Sequence, residues 1–174
     1  MLKLMTEQTP PPAERLRHFL LRRDLAAVRH RSDVSRRLGV SDDEMLVLLN
    51  LLEHGGLTQS QLTSFIGLSR SGMGAMIQRL ERAQLVERHP DPADRRVRLI
   101  KPSPRSVDRI TRAYEALWED VDRVLGELPS DAHEVIARFL TELATVTETH
   151  ARCAASEPEL TRERSSHRDW QLWG

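Results

Sequence analysis

The chain has 174 residues, 39% hydrophobic, 30% charged and 4% aromatic, and its 26 basic and 26 acidic side chains give a formal net charge of zero. The longest nearly unbroken apolar run, Met45 to Leu52, is interrupted by Asn50 and falls well short of the ~18 residues a membrane span needs. The N-terminal stretch lacks the continuous apolar segment of a secretory signal and the lone Cys153 cannot build a disulfide framework, so one soluble, cytoplasmic domain with a short tail is expected.

Pro10, Pro11 and Pro12 exclude helix at the start, and the run Ala13 to Leu38 then contains neither Pro nor Gly before Gly39 stops it: one long first helix. Ser41-Asp42-Asp43-Glu44 is a capping box, in which the serine hydroxyl takes a backbone N–H three residues on and Glu44 reaches back. The second helix it opens ends at Gly55-Gly56. Thr58 with Gln61 repeats the device for a short third helix that stops near Gly67, and Ser69 caps a fourth running to about Ala83. The period then changes. Leu85 to Arg88 and Val97 to Lys101 read as two strands around His89 to Arg96, too rich in Pro and Asp for regular structure: a hairpin with a long charged tip. Ser103-Pro104 opens a fifth helix in which Ile110, Tyr114, Leu117, Trp118, Val121 and Leu125 keep helical spacing. Ser130 is read as the cap of a sixth, with Val135, Ile136, Phe139, Leu140, Leu143 and Val146 on one stripe. Beyond about Cys153 the chain turns polar and loses its period. Residues 1–12 are therefore expected to be an N-terminal arm, 13–152 a single domain, and 153–174 a tail ending in a Trp170-Gln171-Leu172-Trp173 cluster that could dock.

Zero net charge conceals an uneven distribution. Residues 1–56 carry 9 basic and 8 acidic side chains, 57–101 carry 8 and 4, and 102–174 carry 9 and 14. A basic centre with an acidic end suits a chain that turns one surface toward phosphate, although chance scatter gives the same numbers. Only Lys3 and Lys101 among the basic residues are lysines, so the donors are almost all guanidinium groups; a G+C-rich genome would produce that bias too.

Short helix, tight turn, helix and hairpin is the order of a winged helix-turn-helix. With Gly67 as the turn glycine, Leu62, Ile66, Leu68, Met73 and Met76 fall where the two helices must bury apolar groups against each other, and all five are apolar. Helix pairs of this kind also occur in bundles that bind no DNA. The wider pattern is more specific: Leu57-Thr58-Gln59, Leu68-Ser69-Arg70-Ser71, Leu80-Glu81-Arg82 leading into Leu85-Val86-Glu87-Arg88, and Asp91-Pro92-Ala93-Asp94-Arg95-Arg96. Over residues 13 to about 152 the chain resembles the MarR family of bacterial transcriptional regulators. The resemblance implies a mostly α fold with a small β-hairpin wing: a winged helix-turn-helix DNA-binding lobe over 41–101 and dimerisation helices over 13–39 and 104–152. It also implies a homodimer on a pseudo-palindromic operator in double-stranded DNA, the fourth helix in the major groove and the wing in the minor groove. Many such proteins release DNA when a small aromatic or phenolic acid binds. A repressor is the expected role; the alternative is a winged-helix protein-interaction module without ligand control.

Within that scheme, Met73, Met76, Ile77 and Leu80 define the buried side of the fourth helix at 3.6-residue spacing. The opposite side is expected to meet the major groove through Arg70, Ser71, Gly74, Ala75 and Gln78, with Ser71 and Gln78 reading base edges; its small residues would equally permit close helix packing. Thr58, Ser69, Arg79, Arg82, Arg95 and Arg98 are expected on phosphates. In the wing, Asp94 is expected to pair with Arg96 or with a basic residue beneath the hairpin, and Arg96 to enter the minor groove. Gln84 departs from the glycine that the resemblance implies just before the first wing strand, at a left-handed position: either the residue costs on the order of 1 kcal/mol there or the helix closes differently.

An effector pocket is expected from His18, Arg22, Met45, Tyr114 and Trp118, an apolar site with one cation suited to an aromatic carboxylate; Tyr114 and Trp118 would equally fill a core or a dimer interface. His133-Glu134 begins a zinc-protease pattern, but Ala137 stands where its second histidine belongs, and the seven histidines show no ligand spacing. Cys153 follows the sixth helix, whereas peroxide-sensing members of the family place their thiol near the N-terminus. No metal, cofactor or enzyme activity is expected.

Overall fold

The first helix, α1 (Pro12–Leu38), starts one residue earlier than the prolines were read to allow, because Pro12 sits in its first turn, where a missing N–H is no loss, and it ends on Gly39 in a left-handed conformation with Val40 N–H closing onto the Ser35 carbonyl at 3.1 Å. A computed structural model of the chain describes residues 11–156; the Trp170 to Trp173 cluster lies outside them. After α1 come α2 (Asp42–His54), β1 (Leu57–Thr58), α3 (Gln59–Ile66), α4 (Arg70–Arg82), β2 (Val86–Pro90), β3 (Arg98–Pro102), α5 (Pro104–Gly126) and α6 (Ser130–Ser156). They form two compact units, divided after Trp118.

Both capping boxes are present. Ser41 Oγ accepts Glu44 N–H while Glu44 Oε2 accepts Ser41 N–H, and Thr58 and Gln61 make the same reciprocal pair. The fifth helix starts as read, Ser103 Oγ accepting Ser106 N–H at 3.2 Å. The sixth differs by one residue: Ser130 is its first helical residue rather than its cap, because the Pro129 carbonyl already accepts Ala132 N–H. No helix among the described residues is long and apolar enough to cross a membrane.

A three-stranded antiparallel sheet in the order β1-β3-β2 holds the wing, with Leu57 opposite Ile100 and Arg88 opposite Ile100 on the other side. The hairpin strands sit one to two residues later than the sequence pattern placed them, and Pro90 and Pro102 close them at their ends, where a missing donor costs least. Strand β1 was not foreseen. Two residues carry no period, and only pairing with β3 makes them a strand.

The core of the first unit joins α2 (Val47, Leu48, Leu51), β1 (Leu57), α3 (Leu62), α4 (Met73, Met76, Ile77, Leu80), the wing (Leu85, Val86, Ile100) and α5 (Ile110). The four α4 residues are those the helical period selects, and Ile66 and Leu68 pack partly buried against the same cluster.

At the α1–α2 corner, Ser32 Oγ donates to Asp42 Oδ2 at 2.8 Å. That hydroxyl, then the Ser35 hydroxyl and the Arg31 and Arg36 charges, hold the Asp42 carboxyl below its ordinary 3.8. A folded value below the unfolded one contributes stability that is fully present above about 3.8 and is lost as pH falls through the lower folded value. Ser32→Ala is expected to move the Asp42 titration, followed by carboxyl NMR, up toward the ordinary range and to shrink the acid-side loss of stability; an unmoved titration would remove Ser32 as the cause.

Gln84 adopts φ 57°, the left-handed conformation. Its carbonyl accepts the Ser103 hydroxyl at 2.7 Å, and Leu85 N–H closes back to the Leu80 carbonyl at 2.9 Å, so the helix ends as a glycine would end it, at a backbone cost. Gln84→Gly is expected to stabilise the protein by about 0.5–1 kcal/mol, and Gln84→Val to destabilise it by at least as much, in urea denaturation. A less stable glycine variant would contradict the account.

Candidate nucleic-acid interface

Helix α4 is set against α3 by polar as well as apolar contacts. Ser69 Oγ accepts Gly72 N–H at 3.1 Å and caps the helix, while Gln59 Nε2 donates to the Arg70 carbonyl at 2.9 Å across the turn. With Met73, Met76, Ile77 and Leu80 buried, Arg70, Ser71, Ala75, Gln78, Arg79 and Arg82 are exposed. Ser71, Ala75, Gln78 and Arg82 follow one another three or four residues apart and form one outward stripe. Gly74 is the exception. It is half-buried, and a β-carbon there would stand 3.2 Å from Gln59 Nε2, so its smallness serves the approach of α3 to α4 rather than the outward face. Gln59 is the residue sequence reasoning missed; its only signal was its place in the Leu-Thr-Gln run.

Several expected phosphate ligands turn out to be engaged. The Thr58 hydroxyl accepts Gln61 N–H and donates to Gln61 Oε1 at 2.8 Å, so its one donor is spent within the cap. Ser69 is exposed but caps α4 and lies 3.2 Å from the Ser71 hydroxyl. Arg79 donates its Nε–H to Glu44 Oε1 at 3.1 Å, and Arg82 Nε donates to the Gln78 carbonyl at 3.2 Å.

The wing tip is shaped by two aspartates acting on backbone. Asp91 Oδ1 accepts Ala93 N–H at 2.8 Å, Asp94 Oδ1 accepts Arg96 N–H at 2.9 Å, and Asp91 N–H closes onto the Val97 carbonyl. Asp94 thus does not pair with the Arg96 guanidinium or, among the described residues, with a basic side chain beneath the hairpin. The amide two residues on is the nearest donor to an Asp side chain in a turn, and taking it leaves the arginine side chain unpaired. Farther down, Arg88 Nε bonds Glu81 Oε1 at 2.7 Å and ties β2 to α4. Arg70, Arg82, Arg95, Arg96 and Arg98 are all exposed and form no ion pair among the described residues.

The five effector residues are not brought together within the chain. Met45 is fully buried in α2, and Tyr114 packs on the core with its ring edge-to-face to His30 at 5.0 Å, where burial raises its pKa against the lowering charge of Arg31. His18 and Arg22 are exposed on α1, twelve and eight residues before His30, which is about 18 and 12 Å along a helix axis. Trp118 is 57% exposed. A shallow recess does lie in the first unit, but its walls are Leu38, Val40, Leu48, Leu85, Arg109 and Ile110, none of the five. No group of three potential metal ligands occurs among the described residues.

Helix α3, the Gly67 turn, α4 and the β2–β3 hairpin therefore define a winged helix-turn-helix with an arginine-tipped wing. Residues 38–97 match the MarR family model. Over 98 residues the chain is 33% identical to an uncharacterized HTH-type transcriptional regulator of Bacillus subtilis, the alignment taking in 56% of this chain; it spans 64% of that relative's length, just under two thirds. In fold it is similar to a MarR family protein from Bacillus stearothermophilus, with a TM-score of 0.57 at 23% identity over 80% of this chain and 99% of the other. A transcriptional regulator from Thermotoga maritima gives 0.54 at 23% identity over 78% and 96%.

Proposed function

We propose that this chain is a cytoplasmic transcriptional regulator, not an enzyme, that binds double-stranded DNA as a homodimer on a pseudo-palindromic operator and acts as a repressor. The observation that carries the proposal is the set of five exposed arginines without ion pairs, Arg70 and Arg82 on α4 and Arg95, Arg96 and Arg98 in the wing. Guanidinium groups left without a carboxylate on two neighbouring elements suit phosphate and groove contacts. Ser71 and Gln78, on the outward stripe of α4, are the base-edge readers. A small aromatic or phenolic effector enters only as a ligand of the dimer, because His18 and Arg22 do not reach Tyr114 within one chain.

The test is a gel shift with the DNA upstream of the chain's own coding region, repeated across salt concentrations. Ten such arginines per dimer contribute up to about −9 to the slope of log K against log salt, and a two-fold dimer prefers half-site centres roughly 10 base pairs apart. Binding that ignores both salt and sequence, or none at all alongside capture of an acidic protein, would turn the proposal over in favour of a protein-interaction module.

A further inference from the structure

Glu44 serves two elements at once. Its Oε2 accepts Ser41 N–H at 3.0 Å and completes the cap of α2, while its Oε1 accepts Nε–H of Arg79, thirty-five residues away on α4. The carboxylate side is only 14% exposed and the arginine 52%. Among the described residues neither terminal nitrogen of Arg79 has a hydrogen-bond partner. A planar guanidinium gripped at Nε keeps its plane fixed and still offers the Nη1 and Nη2 donors on its other edges. Arg79 lies in the last turn of α4, away from the N-terminal residues that reach base edges in a helix-turn-helix, and so is placed for the DNA backbone.

We propose that Glu44 is a positioning residue for DNA binding: it holds Arg79 by Nε in the orientation from which Nη1 and Nη2 take a DNA phosphate. This rests on the DNA-binding function above and makes a counter-intuitive demand. An acidic residue beside a phosphate-binding surface ordinarily weakens binding by repulsion, so its removal should help. Here removal harms, because an arginine ordered before docking has less freedom to lose.

The experiment uses the full chain and the duplex that the wild type binds most tightly in the upstream region. Glu44→Gln retains the cap, since a glutamine in the same position serves α3 through Gln61 and Thr58, but with its oxygen on Ser41 N–H the amide NH2 takes the place of Oε1 and meets Arg79 Nε–H donor to donor. Arg79→Lys keeps the charge, touches no cap and lacks the Nε grip. Each is expected to weaken binding about 3- to 10-fold with thermal unfolding close to wild type. Arg79→Gln is expected to lower the salt slope by about 0.9 per chain, and adding Glu44→Gln to it to weaken binding no further. Glu44→Gln binding as tightly as wild type or more tightly, Arg79→Lys binding like wild type, or an undiminished Glu44→Gln effect in the Arg79→Gln background overturns the assignment. A wild type that binds no duplex overturns the DNA-binding function and this positioning role with it.

Discussion

Arg96→Ala is expected to weaken operator binding by about 30-fold or more while leaving folding intact. The side chain is exposed at the wing tip, and its backbone N–H, not its guanidinium, is what Asp94 holds. Its removal therefore takes nothing from the fold. A groove or phosphate contact of this kind contributes about 1–3 kcal/mol, and a two-fold dimer loses it twice. Two released charges also lower the salt slope by about 1.8. Gln78→Ala differs in kind: it relaxes base preference with little change in the slope, since a neutral amide displaces no counterion. Asp94→Ala falls between the two, because the guanidinium survives but the turn that aims it does not. Competition binding with wild-type and scrambled duplexes separates the three. Equal affinity of wild type and Arg96→Ala at physiological salt would remove the wing tip from the mechanism.

The features that could be read from sequence are those whose physics closes within a turn or two. Ser41 with Glu44 and Thr58 with Gln61 are local exchanges of hydrogen bonds, and the stripe Met73, Met76, Ile77 and Leu80 is a single helical period, so the helix starts and the inner face of α4 follow directly. Even the strained position was visible: the departure at Gln84 is a real left-handed residue. What stayed hidden is what depends on a partner far along the chain. Strand β1 exists because β3 pairs with it, Gly74 is small because Gln59 approaches it, and Arg79 is braced by a carboxylate on another helix. Asp94 was placed at the right tip with the wrong donor, because a nearby backbone amide competes better for a short side chain than a guanidinium on a long flexible one. The expected effector pocket failed within one chain for a geometric reason: residues chosen for chemistry on α1 sit two and more turns from His30, whose ring packs on Tyr114.

The apolar faces of the long helices lead to the second large effect. On α6, Val135, Phe139 and Val146 are 57%, 44% and 54% exposed, and at ~100° per residue they fall within about 40° of one another. On α1, Leu21, Leu25 and Val28 are likewise about half exposed and fall within about 60°. Large side chains in continuous stripes are rarely left to water by a monomer, and a second copy of the chain offers the same stripes to cover them. The wild type is therefore expected to sediment at twice its 19.9 kDa at micromolar concentration. Val135→Glu with Phe139→Glu puts two carboxylates on that stripe, where burial without a partner is costly, and is expected to yield a monomer whose winged-helix unit still folds, because none of its core residues lies on α6. Such a monomer loses the linkage between two half-sites, and with it a factor of about 100 or more in operator affinity, although each recognition helix and wing is untouched. Sedimentation equilibrium and a half-site gel shift read the two parts separately. A wild type found at 19.9 kDa, or a double variant that remains a dimer with full operator affinity, would refute dimerisation through these faces.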